Sequence, residues 1–142
     1  MLTHYLETAN KLLIDLITTT NNDIEDIKAA HHDTVFTRTK IKDELVRSFE
    51  NHKSLIDNEI IKKANINAGV ALEDLLSQHE QDLLANMRQN LAVLQECNKQ
   101  FATLVISVSE FYNSLLNRII PNEQVGYDRS RAKYASILQV QG

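Results

Sequence analysis

The side chains in this chain able to do chemistry are few, and their spacing works against it. His31, His32 and Asp33 are consecutive. A helix turns about 100° per residue, so two neighbouring imidazoles diverge and cannot share one ion; helical metal pairs sit at i and i+4. His79-Glu80 opens like a zinc-protease motif, but position 83, where the second His would fall, is Leu. Cys97 is the only cysteine. It has no His or other base nearby in sequence, and it lies on or beside an apolar seam, where a small buried side chain is expected rather than a nucleophile. Asp23, Glu25 and Asp26 group at a candidate helix start, and acids favour the positive end of a helix dipole. No glycine-rich loop is present to cradle a phosphate. The expectation is a protein without catalytic residues, metal or cofactor.

The elements that carry these residues are helical. The chain has three glycines, one proline and no tryptophan among 142 residues. Tight turns and strand punctuation are nearly missing, while Leu, Ile, Ala, Asn, Lys and Glu dominate, so an all-α fold follows. Leu2, Tyr5, Leu6, Ala9, Leu12, Leu13, Leu16 and Ile17 recur at steps of three and four, one stripe on a helix. The stretch 18–23, TTTNND, is either a break or a soft spot in a continuous helix, since Ile24 and Ile27 resume the stripe. Residues 35–61 show a narrower seam (Val35, Ile41, Leu45, Val46, Phe49, Leu55, Ile56, Ile60 and Ile61) between charged positions, with Lys40–Glu44 and Asp43–Arg47 as four-residue ion pairs, in the manner of a coiled coil. Asn65, Asn67 and Gly69 mark a turn near 64–70. A further stripe then runs from Leu72 to Ile119, and Pro121 ends it.

A helix of roughly 50 residues is about 75 Å long at 1.5 Å per residue and cannot bury its own stripe. It needs an antiparallel partner, and residues 24–62 are the obvious one. The predicted architecture is an elongated antiparallel helical hairpin over residues 1–120. Residues 2–20 either extend its first arm or fold back as a third helix, and residues 121–142 form a flexible tail.

Charge and hydropathy exclude some classes. The formal net charge is −4, and there is no basic face of the kind that binds nucleic acid. Arg129, Arg131 and Lys133 outnumber Glu123 and Asp128 after position 120, so the tail is mildly basic and the body acidic. The start, MLTHYLETANKLLIDL, lacks a basic n-region and a cleavage site, and no run of about 18 apolar residues exists to span a membrane. A cytoplasmic location is expected.

The richest feature is residues 101–120, of which twelve are apolar. One antiparallel partner needs only a stripe; here Val105, Ile106, Tyr112 and Leu116 are read as widening it into a face. Large apolar patches mark partner sites unless residues 2–20 or a second copy of the chain cover them. Asn98 lies near the seam, either fixing register within it or meeting water at its edge.

This pattern resembles the FlgN-type flagellar export chaperones. The likeness rests on the leucine-rich first helix, on TKIKDELVRSF (39–49), on LQECNKQFATLVISVSEFYNSLL (94–116) with an Asn near the middle of that helix, and on a tyrosine–glycine tail. It implies a cytoplasmic chaperone for type III export. Such a protein would bind the C-terminal helices of hook-associated (hook–filament junction) proteins and deliver them to the cytoplasmic domain of the export-gate protein. The implied client-binding residues are Phe101, Leu104, Val105, Val108, Phe111, Tyr112, Leu115 and Ile119, by a helix-on-helix mode. Tyr127 is the implied docking residue for the export gate, with Tyr134 a second candidate, because Gly126 precedes Tyr127 here and Asp128-Arg129 replaces the family's acidic-glycine turn. Two other readings stand beside it: a structural coiled-coil homodimer without a client, and a chaperone for other type III secretion substrates.

Overall fold

A computed structural model describes residues 1–119, with side chains described through residue 118. The predicted tail, including Tyr127 and Tyr134, lies outside the described residues. The fold is all-α. Helix α1 runs Leu2–Lys28, α2 His32–Ile66, α3 Leu72–Leu75 and α4 Gln78–Ile119.

Residues 18–23 lie within α1, so the soft stretch does not break the helix. The break comes at residues 29–31. There the His31 N–H donates to the Asp26 carbonyl at 2.7 Å and the Ala30 N–H to the Ile27 carbonyl at 3.1 Å, a Schellman cap. Ala30 takes φ +64°, the left-handed position that such a cap requires. The residues expected to begin one long arm at 24 are therefore divided: 24–28 end α1, and α2 starts only at His32. Residues 2–20 belong to a third long helix, not to an extension of α2.

The second predicted turn is present. The Asn67 N–H donates to the Lys63 carbonyl and the Val70 N–H to the Asn67 carbonyl, each at 3.1 Å, and Gly69 adopts φ +87°. The helix expected over 70–120 is interrupted once. After the single turn of α3, Leu76 is extended. Ser77 then caps α4: its Oγ accepts from the Glu80 N–H at 3.1 Å, and Glu80 Oε1 accepts from the Ser77 N–H at 3.0 Å. This is a capping box.

The described residues divide into two compact units: residues 1–18 with 42–95, and residues 19–41 with 96–119. In the first, Leu2, Leu6, Ala9, Ile56 and Leu76 form the core, with Tyr5, Phe49, Ile60, Leu83, Leu84 and Met87 against it. Early α1 thus meets late α2 and early α4, so within this unit α1 and α4 run parallel and α2 antiparallel. Asn10 is buried between α1 and α4, donating to the Leu83 carbonyl at 3.0 Å and accepting from Asn90 at 3.1 Å. Lys63 reaches Glu80 at 3.6 Å, tying the end of α2 to the start of α4. In the second unit, Ile24, Ile27, Val35, Phe101 and Val105 form the core, with Phe36, Leu104 and Val108 packed on it.

Candidate helix-binding face

The second unit holds the residues singled out as client-binding. Phe101, Leu104, Val105, Val108, Phe111, Tyr112 and Leu115 recur at steps of three and four on α4 and share one face. What covers that face changes along its length. Phe101 and Val105 are 0% and 1% exposed, sealed by Ile24 and Ile27 from the end of α1 and by Val35 from the start of α2. Leu104 and Val108 are half-buried in the same cluster. The cover ends at the α1–α2 turn. The His32 ring meets Tyr112 edge-on, with centroids 6.1 Å apart, and Tyr112 meets Phe111 at 5.9 Å. Phe111 is 64% exposed, and Tyr112 and Leu115 are each 40% exposed.

Three expectations change accordingly. Phe101 and Val105 are core side chains rather than surface for a client, because the end of α1 and the start of α2 occupy the space before them. The cover over 101–108 is supplied by residues 24–36, whereas Leu2, Leu6 and Ala9 pack with Leu76 and its neighbours in the other unit. Ile106 does not widen the stripe: it is two residues from both Leu104 and Val108, which turns it to the opposite side of α4, where it is 48% exposed. The exposed part of the predicted site is Phe111, Tyr112 and Leu115, with Leu116 half-buried beside them. Ile119 lies in the helix, and its side chain is outside the described set.

Electrostatics beneath the face centre on Arg38 of α2. Its guanidinium donates to Asp23 at 3.0 Å and also to Asp26, both on α1. Asp23 is 1% exposed. Donation to Asp23 raises the already high pKa of Arg38, with burial opposing and Asp26 adding to it. The cluster clasps the α1–α2 hairpin that covers Phe101. The Asp23 and Asp26 carboxylates lie near the end of α1 and not, as their grouping suggested, at a helix start.

The remaining chemistry-bearing residues have structural partners. Cys97 is buried and its thiol donates to Asn21 Oδ1 at 3.4 Å; burial, then the nearby Glu96 charge, push its pKa up, which disfavours the nucleophilic thiolate. Asn98 beside it is half-buried. His31 Nδ1 lies 3.7 Å from Asp26, and His79 Nε2 lies 3.5 Å from Glu7. Among the described residues, no group of three or more His, Cys, Asp or Glu side chains is placed to hold a metal ion, and no helix is long and apolar enough to cross a membrane. Sequence reasoning missed two features. The capping box was legible as Ser-x-x-Glu at 77–80, ahead of an apolar-periodic run. The Arg38 clasp joins residues 12 and 15 apart across an unmarked turn and had no local signal. Compared with protein-family models, curated proteins and solved structures, the chain has no match.

Proposed function

We propose that the protein is a non-enzymatic chaperone that captures an amphipathic client helix on the end of α4. The observation that carries this reading is the apolar stripe of α4, which continues past the turn that covers it and leaves Phe111, Tyr112 and Leu115 at the surface. Phe101 and Val105 anchor the same stripe in the core, so the presenting helix is held rigidly. The resemblance to FlgN-type proteins supports a more specific form: a cytoplasmic flagellar type III export chaperone whose clients are the C-terminal helices of hook-associated proteins. In that form Tyr127 docks on the export gate.

Magnitudes shape the proposal. Full burial of one large apolar side chain is worth about 1.5–3 kcal/mol, and these three are already partly covered. Together they supply roughly 2–4 kcal/mol before ordering costs, well short of the roughly 8 kcal/mol of micromolar binding. The client helix must therefore also cover Leu116 and polar groups at the rim. The test is co-purification of a hook-associated protein with the wild type and with Leu115→Asp. Loss of the client with an unchanged helical circular dichroism spectrum supports the reading. Retention of the client, or a stable dimer broken by the same substitution, overturns it.

A further inference from the structure

The turn between α1 and α2 is closed by a residue poorly suited to closing it. Ala30 holds φ +64°, and it is the one residue other than glycine with a positive φ among the described residues. In that region the Cβ of an L-residue crowds a carbonyl oxygen, which shifts the balance away from the closed turn by about five- to thirtyfold. Nothing in the sequence requires the turn. The first glycine of the chain is Gly69 and the only proline is Pro121. Residues 28–32, Lys-Ala-Ala-His-His, can therefore run on as helix, and alanine is the best helix former. In a straightened chain Ile24, Ile27, His31 and Val35 follow at steps of three, four and four, so the stripe of α1 leads directly into that of α2.

Straightening takes α1 away from its own chain, and the place it leaves fits the α1 of a second copy. In the first unit that place is lined by Ile56 and Leu76, with the Leu83 carbonyl and the Asn90 amide set to meet Asn10. In the second it is lined by Val35, Phe101 and Val105, with Arg38 set to receive Asp23 and Asp26. Each of these contacts joins α1 to residues beyond the turn, so two copies that exchange their first helices recover all of them. Only the turn's own hydrogen bonds, from the His31 and Ala30 N–H groups, are given up, and helical ones replace them. We infer that the chain forms a reciprocal dimer in which the α1–α2 turn opens and each α1 packs into the other copy. Packing is the same in both forms, so the balance lies between the entropy of association and the relief of two strained turns. Because α1 must leave the core, the exchange takes place when chains fold together at high concentration, not on mixing folded monomers. It goes beyond the helix-binding reading of α4 and does not depend on it.

The test refolds the full chain from urea at about 5 µM and at about 0.5 mM, the latter near the effective concentration of a short tether. Light scattering should show monomer from the first and a dimer from the second that persists on dilution. Ala30→Gly eases the closed turn and weakens the open helix, and should lower the dimer association constant about thirtyfold. Ala30→Ile, β-branched and still less suited to positive φ, should raise it about tenfold. Glu7→Cys with His79→Cys, at side chains 3.5 Å apart on α1 and α4, reports who pairs with whom when bridged by a short bismaleimide. Cys97, buried and with a raised pKa, is left in place. The dimer fraction should give covalent dimers and the monomer fraction covalent monomers on a denaturing gel. Absence of a dimer from both wild type and Ala30→Ile overturns the inference. So does a dimer whose cross-links stay within one chain, or one that Leu115→Asp disperses and residue 30 leaves unchanged; either marks closed chains associating through a surface.

Discussion

Arg38 shows how much a single side chain carries in this fold. It is the cation held between Asp23, which is almost wholly buried, and Asp26, and it joins α2 to α1 beside the Phe101 core. Removing one partner of a buried pair leaves a charge in a medium that solvates it poorly. Arg38→Met should therefore destabilise the protein by about 2–3 kcal/mol, below the roughly 3–5 kcal/mol of a fully buried pair because Arg38 keeps some solvent contact. Urea denaturation of the variant against wild type measures it, and Asp23→Asn in the same background should recover part of the loss. Glu80 makes a pH-dependent contribution. Burial works to raise its pKa, but the Ser77 N–H and the Lys63 charge outweigh burial, and the pKa falls below the usual carboxylate value. A carboxylate whose native pKa is depressed adds stability above its unfolded pKa of about 4.3 and loses it as pH falls through the native value. The stability gap between wild type and Glu80→Gln, taken from urea melts, should be constant above about pH 5.5 and shrink steadily as pH falls below about 4.5.

At the scale of elements, the turns decide the topology, and one of them was hidden. Helix formation, the 3–4 spacing of every stripe and the turn holding Gly69 are local properties and were legible in sequence. The turn at 29–31 was not, because its left-handed residue is Ala30, where Gly or Asn usually stands. With no glycine or proline to announce it, the stripe of Ile24 and Ile27 read as leading on into α2, and the third helix stayed an open alternative. The same concealment blurred the site: which residues cover Phe101 depends on where α1 turns back. The unusual residue also gives a prediction. An L-residue in the left-handed region costs roughly 1–2 kcal/mol, and glycine returns part of that through its freer unfolded chain. Ala30→Gly should thus stabilise the protein by about 0.5–1 kcal/mol, seen as a higher urea midpoint at unchanged m-value. A lower midpoint would show that the Ala30 methyl makes a contact worth more than the backbone relief.

For the molecule as a whole, the division of the α4 stripe into a covered and an uncovered part separates stability from binding. Phe101 and Phe111 lie on the same stripe, ten residues apart, yet one is 0% and the other 64% exposed. Phe101→Ala opens a cavity in a filled core and should cost about 3–5 kcal/mol, a large share of the roughly 5–15 kcal/mol that holds a domain folded. Phe111→Ser removes a side chain that is mostly in water, and its effect on stability should stay within about 0.5 kcal/mol. Binding should follow the opposite order. Phe111→Ser deletes contact area at the centre of the proposed patch and should weaken client-helix affinity by tenfold or more, about 1.4 kcal/mol. A Phe101→Ala protein that is still folded at low temperature should bind nearly as wild type, because that side chain never reaches the partner. Thermal melts and calorimetric titration of the two variants with the same client helix test both orders together. If the two substitutions weakened binding equally while both proteins stayed folded, the partner would have to reach the covered half of the stripe by displacing residues 24–36, and the hairpin over Phe101 would be a movable cap.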